Sequence, residues 1–262
     1  MAAKKTALIT GASGGIGLEL AHVFAKNRYD LWLVARNTAK LEEIQKNLAG
    51  QYSASVRVLS KDLSSASAAQ EVFDAAQKEK ACIDVLVNNA GMGFFGLFSE
   101  TELPQHEQVM NLNMLNLTQM TKLFLGPMLE RKSGKILNVA STAAFQPGPL
   151  LAVYYASKAY VLHFSEALAN ELKGSGVTVT TLCPGPTQTG FQEAAKMGSS
   201  KLFKGILVRV MDARQVAETG YRGLMKGKTV VIPGLPNKII AFSTRFAPRA
   251  FITALTRKIQ EK

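Results

Sequence analysis

Tyr154 and Lys158 stand four residues apart in the run Tyr154-Tyr155-Ala156-Ser157-Lys158. Helix-forming residues continue from there through Leu172, and on a helix positions i and i+4 share a face. An ammonium beside a phenol favours the phenolate, so Lys158 is expected to lower the Tyr154 pKa. A phenol poised in this way gives or takes a proton at an alcohol or ketone. Ser141 closes an apolar, strand-like run from Lys135 to Ala140. Aimed into the same cleft, its hydroxyl would hydrogen-bond a substrate oxygen as charge develops there. On its own, a Tyr–Lys pair at this spacing is common and usually means a half-buried ring beside a solvated ammonium.

The start of the chain changes that weighting. Thr6 to Thr10 reads as a short buried strand, Gly11-Ala12-Ser13-Gly14-Gly15-Ile16-Gly17 follows, and Leu18, Leu20, Val23 and Phe24 continue as a helix pattern. Strand, glycine turn and helix form the context that a phosphate-binding loop requires. Glycines let the backbone approach a pyrophosphate, and the helix N-terminus favours negative charge.

The rest of the chain supplies the frame. Strand-like runs at Asp30–Ala35, Ser55–Lys61, Ile83–Val87, Lys135–Ala140, Val177–Cys183 and Thr229–Ile232 alternate with helical patterns. The helical patterns are Lys40–Leu48, Ala66–Lys80, one long stretch from Pro104 to Glu130, Val153–Lys173 and Asp212–Met225. This alternation predicts an α/β fold: a single Rossmann-type domain with a doubly wound parallel β-sheet of about seven strands and helices on both faces. Ligands bind beyond the carboxyl ends of such strands, and every motif named so far follows a strand or opens a helix at that edge.

Thr10-Gly11-x-x-x-Gly15-x-Gly17, Asn88-Asn89-Ala90-Gly91, Ser141, Tyr154-x-x-x-Lys158 and Pro184-Gly185, taken together and in that order, resemble the short-chain dehydrogenase/reductase family. The resemblance implies reversible hydride transfer between a nicotinamide and a carbonyl or secondary alcohol. In that scheme Ser141 orients the carbonyl oxygen and Tyr154 exchanges the proton. Lys158 tunes the Tyr and holds the nicotinamide ribose, and Asn113 holds a water that relays protons from Lys158 to solvent. The implied cofactor contacts are Gly11, Ser13, Gly15, Ile16 and Gly17 at the phosphates, Asp62 and Leu63 at the adenine, and Asn89, Ala90 and Gly91 along the cleft. Pro184, Gly185 and either Thr187 or Thr189 close on the nicotinamide, beside Tyr154 and Lys158. On local sequence alone, Asp62 reads equally well as a turn cap.

Arg36 stands just past the second strand, where these folds meet the adenosine ribose. An arginine there pairs with a 2′-phosphate, and Ala35 occupies the place where an NAD-preferring relative commonly carries Asp; both residues point to NADP(H).

For the substrate, Phe94, Phe95, Phe98, Phe145, Leu150 and Leu151, with Leu202, Phe203, Ile206, Leu207 and Val208 from a lid, suggest an apolar pocket for a bulky ketone. The lid is expected over residues 190–212. The alternatives are a reductase of 3-oxoacyl chains on a carrier and a non-catalytic NADP-binding module. The default for most of these large apolar residues is core.

Composition bounds the rest. The 262 residues are 47% hydrophobic and 19% charged, which suits one globular domain. No 18-residue apolar run or secretory leader is seen, so a cytoplasmic protein is expected. Cys82 and Cys183 show no metal spacing, and both are expected as buried thiols. His22, His106 and His163 are scattered, so no metal site is expected.

The net charge of +12 is uneven. Residues 1–195 carry seventeen Lys and Arg against sixteen Asp and Glu, and residues 196–262 carry fourteen against three. The chain is therefore divided into a catalytic body, residues 1–235, and a basic segment, residues 236–262, packed on it. In that segment apolar residues recur at helical spacing, broken at Pro248. It would pack on its own domain or a partner subunit, or make weak contact with an anionic membrane or an anionic carrier. No nucleic-acid motif is present, and a homodimer or homotetramer is expected by resemblance.

Overall fold

The computed structural model describes residues 4–195 and 210–261. Strand β1, Thr6–Thr10, has the sequence TALIT and lies in the interior of the sheet. It pairs in parallel with β2, Asp30–Ala35, and with β4, Ile83–Asn88. β3, Val56–Ser60, flanks β2. β5, Gly134–Val139, β6, Val177–Leu182, and β7, Val230–Val231, extend the other side, giving the order β3-β2-β1-β4-β5-β6-β7 with every pairing parallel. The strand order reverses between β1 and β4, which opens a crevice at their carboxyl ends.

Both faces of a parallel sheet must be covered, and the period-2 alternation of side chains shows how. Ala7 and Ile9 of β1 point to one face, where Leu20 and Phe24 of α1 (Gly15–Lys26), Leu41 and Leu48 of α2 (Thr38–Tyr52) and Val216 and Leu224 of α8 (Ala213–Met225) pack on them. Leu8 points to the opposite face. It is met there by Val72 of α3 (Ala68–Lys78) and by Met120, Phe124 and Met128 of α5 (Leu117–Glu130). The site helix α6, Ala152–Glu171, packs beside β6.

Two local expectations give way and a third holds. The long helix expected over Pro104–Glu130 is interrupted: α4 covers Leu103–Met110, Asn111–Asn116 forms a π-helical turn, and α5 follows. Asn is a poor helix former, and Asn113 uses its side chain on a neighbouring loop instead. Cys82 is exposed while Cys183 is buried, because Cys82 lies ahead of β4 and outside the sheet's covered interior. The basic segment is two helices, α9 (Leu235–Ser243) and α10 (Arg249–Gln260), with Pro248 at the N-cap of the second. A short helix α7, Phe191–Ala194, begins the expected lid. Leu202, Phe203, Ile206, Leu207 and Val208 lie outside the described residues.

Candidate active site

A single cavity of about 1250 Å³ runs along the carboxyl edge of the sheet. It exceeds the roughly 300–1,000 Å³ of an ordinary small-molecule site. Of the residues expected at the site, all but Gly17 and Asn113 line it.

The glycine turn is fixed from beneath. Gly11 has φ +65, and a Cβ there would lie 2.9 Å from the Ala90 Cα. Gly17 sits below the turn, where a Cβ would meet the Gly11 carbonyl oxygen at 2.3 Å and Asn89 Nδ2 at 2.5 Å. Asn89 donates from Nδ2 to the carbonyls of Thr10 (2.9 Å) and Gly11 (3.3 Å). The Thr10 hydroxyl donates to Val87 O at 3.2 Å and accepts from the backbone N–H of Asn89 (2.9 Å) and Ala90 (3.0 Å). Its hydrogen-bonding capacity is thereby used up, and the ends of β1 and β4 are stitched together. Asn88, by contrast, turns away from the cleft. It is buried and donates to Thr121 Oγ1 and Asn138 Oδ1, and Asn138 donates onward to Ser165.

At the far end the cavity is cationic. Arg36, Lys40 and Lys61 line it beside Asp62 and Leu63. Lys40 was not expected; its Nζ lies 4.0 Å from the point a Gly14 Cβ would occupy. Lys61 is paired with Glu71. Asp62 accepts from Ser64 N (3.0 Å) and Ser64 Oγ (2.8 Å), so it does cap a turn. Those bonds, with a smaller contribution from Arg36, hold its carboxyl below the usual range. It can cap the turn and line the cavity at once.

At the other end, Ser141 follows β5 in extended conformation and opens a 3₁₀ turn, Thr142–Phe145. Its Oγ accepts from Ala143 N at 3.1 Å and donates to Pro184 O at 3.4 Å, and it shares the cavity wall with Tyr154. Lys158 lies one turn along α6, is 5% exposed, and donates from Nζ to Val139 O at 2.9 Å. The expected effect of Lys158 on Tyr154 does not appear. Burial pushes the phenol up to about 12, and what offsets it is the Ser141 hydroxyl. The physical reason lies in where the ammonium goes: it is turned to the Val139 carbonyl and lies over the Tyr154 ring, 5.8 Å from the centroid. Burial lowers the Lys158 pKa to about 8.

Asn113 is 1% exposed and stands behind the cavity wall. It clamps the Met92 backbone, accepting from its N–H at 3.0 Å and donating to its carbonyl at 2.9 Å, and donates to Ser157 Oγ at 3.0 Å. Ser157 in turn donates to Tyr154 O at 2.7 Å. Gly91 separates Asn113 from Lys158: a Cβ there would lie 3.2 Å from Lys158 Nζ and 3.3 Å from Asn113 Oδ1. The π-helical turn aims Asn113 at that loop.

The loop after β6 is braced by a residue that sequence reasoning passed over. Asn237, at the start of α9, is buried and donates to Pro233 O at 2.9 Å, and a Cβ on Gly185 would meet its Oδ1 at 2.5 Å. No spacing signals it. The Thr187 hydroxyl donates to Gly185 O at 2.8 Å, whereas the Thr189 methyl packs where a Gly15 Cβ would point.

The apolar end departs from expectation in part. Phe94, Phe98 and Leu150, with His106, Val109 and Val153, line a side cavity of about 150 Å³ against Tyr154. His106 is buried there, stacked on Phe98 and hydrogen-bonded with Thr101. Phe95 and Leu151 pack with Tyr154, Tyr155 and Phe191. Phe145 joins the core around Leu117 and Val161 instead, because the 3₁₀ turn points it under α6. The remaining wall comes from α9 and α10, through Ile240, Phe251, Leu255 and Ile259. Gln260, also unanticipated, is 0% exposed and donates to the Tyr155 hydroxyl at 2.5 Å.

Comparison with known proteins places this arrangement. The model of the short chain dehydrogenase family matches residues 5–199. The very-long-chain 3-oxoacyl-CoA reductase of Anas platyrhynchos is 33% identical over 74% of this chain; the match spans 64% of that longer protein. A short-chain dehydrogenase from Sphingobium yanoikuyae, solved in complex with NADPH, is 30% identical with a TM-score of 0.82, covering 92% of this chain and 93% of that one. A bulky-bulky ketone specific alcohol dehydrogenase from Comamonas testosteroni is 28% identical with a TM-score of 0.77, covering 88% and 86%.

Proposed function

The chain belongs to the short-chain dehydrogenase family of oxidoreductases, and on that premise we propose that it is an NADP(H)-dependent reductase of bulky, apolar ketones. The observation that carries the proposal is that Ser141, Tyr154 and Lys158 meet on one wall. That wall faces a cavity that is cationic at one end and apolar at the other.

The cofactor fits the residues present. Gly11 and Gly17 let the turn settle onto Asn89 and Ala90 with no side chain between, so that Gly11, Ser13, Gly14 and Gly15 and the N-terminus of α1 face the cavity, and Arg36 and Lys40 suit a 2′-phosphate better than a free hydroxyl. The NADPH complex of the Sphingobium yanoikuyae relative supports the same choice. When bound, the nicotinamide supplies or accepts a hydride.

The chain's own groups do the rest. Ser141 orients and polarises the carbonyl oxygen. Tyr154, protonated at neutral pH because burial raises its pKa, donates the proton as the oxygen gains charge, and takes it back in the reverse direction. Lys158 holds the nicotinamide ribose. Asn113, through Met92 and Ser157, fixes the loop and the helix turn that carry the site.

The apolar end suits a bulky or long substrate. The relative named as a 3-oxoacyl-CoA reductase favours a second reading, in which the substrate is a 3-oxoacyl chain on a carrier. Residues 1–235 form the catalytic body in this proposal, and residues 236–262 a basic wall packed on it. The protein acts in the cytoplasm as a homodimer or homotetramer. Among the described residues no helix is long and apolar enough to cross a membrane.

The test is oxidation of NADPH and NADH against aliphatic, aromatic and steroid-like ketones and 3-oxoacyl thioesters. Turnover that prefers NADPH and disappears in Tyr154→Phe supports the reading. NADPH binding without turnover of any substrate class would count for a binding module instead.

A further inference from the structure

The wall that α9 and α10 give to the cavity has an outer side, and that side is apolar. Leu235, Ile239, Phe242 and Phe246 recur at intervals of four, three and four residues, which keeps them on one side of α9 and its extension. Phe242 is 58% exposed and Phe246 75%, and their rings meet edge to face at 5.1 Å. Together with the exposed Phe251 and Leu255 on α10, they make the kind of apolar patch that a soluble surface seldom shows without a partner.

The charge around this patch limits what that partner can be. Lys238, Arg245, Arg249, Arg257 and Lys258 are all exposed, and among the described residues the only carboxylate side chain within Leu235–Glu261 is Glu261, which is paired with Arg257. The Arg245 guanidinium lies 6.0 Å from the centre of the Phe242 ring, so cation and aromatic occupy one surface. Two copies joined through this face would set these cations against each other, since a two-fold contact repeats the same patch on both sides. An anionic protein would satisfy the cations but leave the aromatic rings facing polar surface. An anionic bilayer satisfies both: aromatic side chains enter the interfacial layer while Lys and Arg reach the phosphates.

The patch is also continuous with the cleft. Phe251 and Leu255 belong to both, and Ile240, one residue from Ile239, lines the cavity. From this geometry we infer that α9 and α10 seat the protein on an anionic phospholipid surface with the mouth of the cleft toward the lipid. A membrane-dissolved ketone then enters the cavity between the two helices without crossing water. The docking is independent of the reaction; the delivery of substrate rests on the reading of the cleft given above.

Co-sedimentation of the full chain with phosphatidylcholine vesicles, with and without phosphatidylglycerol, reads the docking without any substrate. The expected result is binding that requires phosphatidylglycerol and weakens with salt. It falls about tenfold or more in a Lys238→Glu, Arg245→Glu variant, and falls again in an Ile239→Ser, Phe242→Ser, Phe246→Ser variant. Circular dichroism checks that both variants are folded.

Failure to bind anionic vesicles overturns the inference, as does equal binding to neutral ones or binding that both variants retain. Loss of an oligomer in the apolar variant would assign the face to a second copy. Retention by an acidic acyl carrier without vesicle binding would assign it to a protein; either overturns the lipid. A positive vesicle result beside a negative ketone panel would leave the docking standing and remove only the proposed reaction.

Discussion

The glycine-turn end of the cleft and the α9–α10 end are made in opposite ways. At the first, backbone nearly touches backbone, and side chains spend their hydrogen bonds holding it: Thr10 satisfies three partners, and Asn89 ties down the carbonyls of Thr10 and Gly11. At the second, the wall is a row of apolar side chains, several of them half in solvent, pinned at few points such as Asn237 and Gln260. The difference suits the two jobs. On the function proposed above, a cofactor of constant shape would be met by a turn with no slack, where a one-carbon change collides with main chain. The apolar substrate of that proposal would be met by side chains that can shift rotamers, so this end would tolerate change and set selectivity.

Tyr154→Phe lies where the two ends meet and carries the largest expected effect. Single-turnover reduction should slow by about 10²–10⁴-fold while NADPH affinity stays within a few-fold. Comparable loss of both would mean that the site cannot be divided as described.

Next is Lys158, whose folded pKa of about 8 lies below its ordinary 10.5. Between those values the unfolded chain binds the extra proton, so stability rises with pH across that window. In thermal melts the stability difference between the native protein and Lys158→Met should grow from pH 7.5 to 10.5 by an amount on the order of a few kcal/mol. The buried Cys183 thiol, raised from 9.0 to about 12, and Tyr154, raised toward 12, act in the opposite direction above about pH 9 and pH 10 respectively, in both proteins alike.

Arg36→Leu should cut the preference for NADPH over NADH by about 10–100-fold, the range of a charge-assisted hydrogen bond, with little effect on ketone choice. A shift in ketone choice would show that the two ends communicate.

The contrast is sharpest in its last pair. Thr10→Val keeps the shape but strands the N–H groups of Asn89 and Ala90, and should destabilise the fold by about 1–3 kcal/mol in urea unfolding. Phe251→Ala, on a residue 60% exposed, should change stability by less than about 0.5 kcal/mol. It should instead raise KM for bulky ketones roughly tenfold.

The same division governs what was readable from residues alone. The cofactor end is written locally: a strand, a run of glycines and a helix adjoin in sequence, and their spacing carries the geometry. Ser141, Tyr154 and Lys158 were legible because strand end and helix turn fix where they point. The sign of the Tyr154 shift was not, since burial and the pull of the Val139 carbonyl on Lys158 depend on contacts from distant segments. Asn237, Lys40 and Gln260 carry no motif, and only the packing of α9, α2 and α10 brings them to the cavity. Hydrophobicity brought Phe94 to the cavity and Phe98 to its side cavity, but the same reasoning misplaced Phe145, because apolar character does not say which side of a 3₁₀ turn a ring will take. The interruption at Asn111–Asn116 was foreshadowed only as an awkward Asn in a helix.

That interruption has the arithmetic of an insertion. A π-helical turn holds one residue more than the regular spiral allows, so α4 and α5 are out of phase by about 100°, the rotation contributed by a single α-helical residue. Deleting one residue within Asn111–Asn116 would let the two helices fuse into one unbroken rod, which a helical peptide would count as an improvement. Here it would swing Asn113 away from Met92 and pull the loop after β4 off the cleft. The wide turn works as a phase offset: it lets one end of a long helix obey the sheet while the other obeys the site.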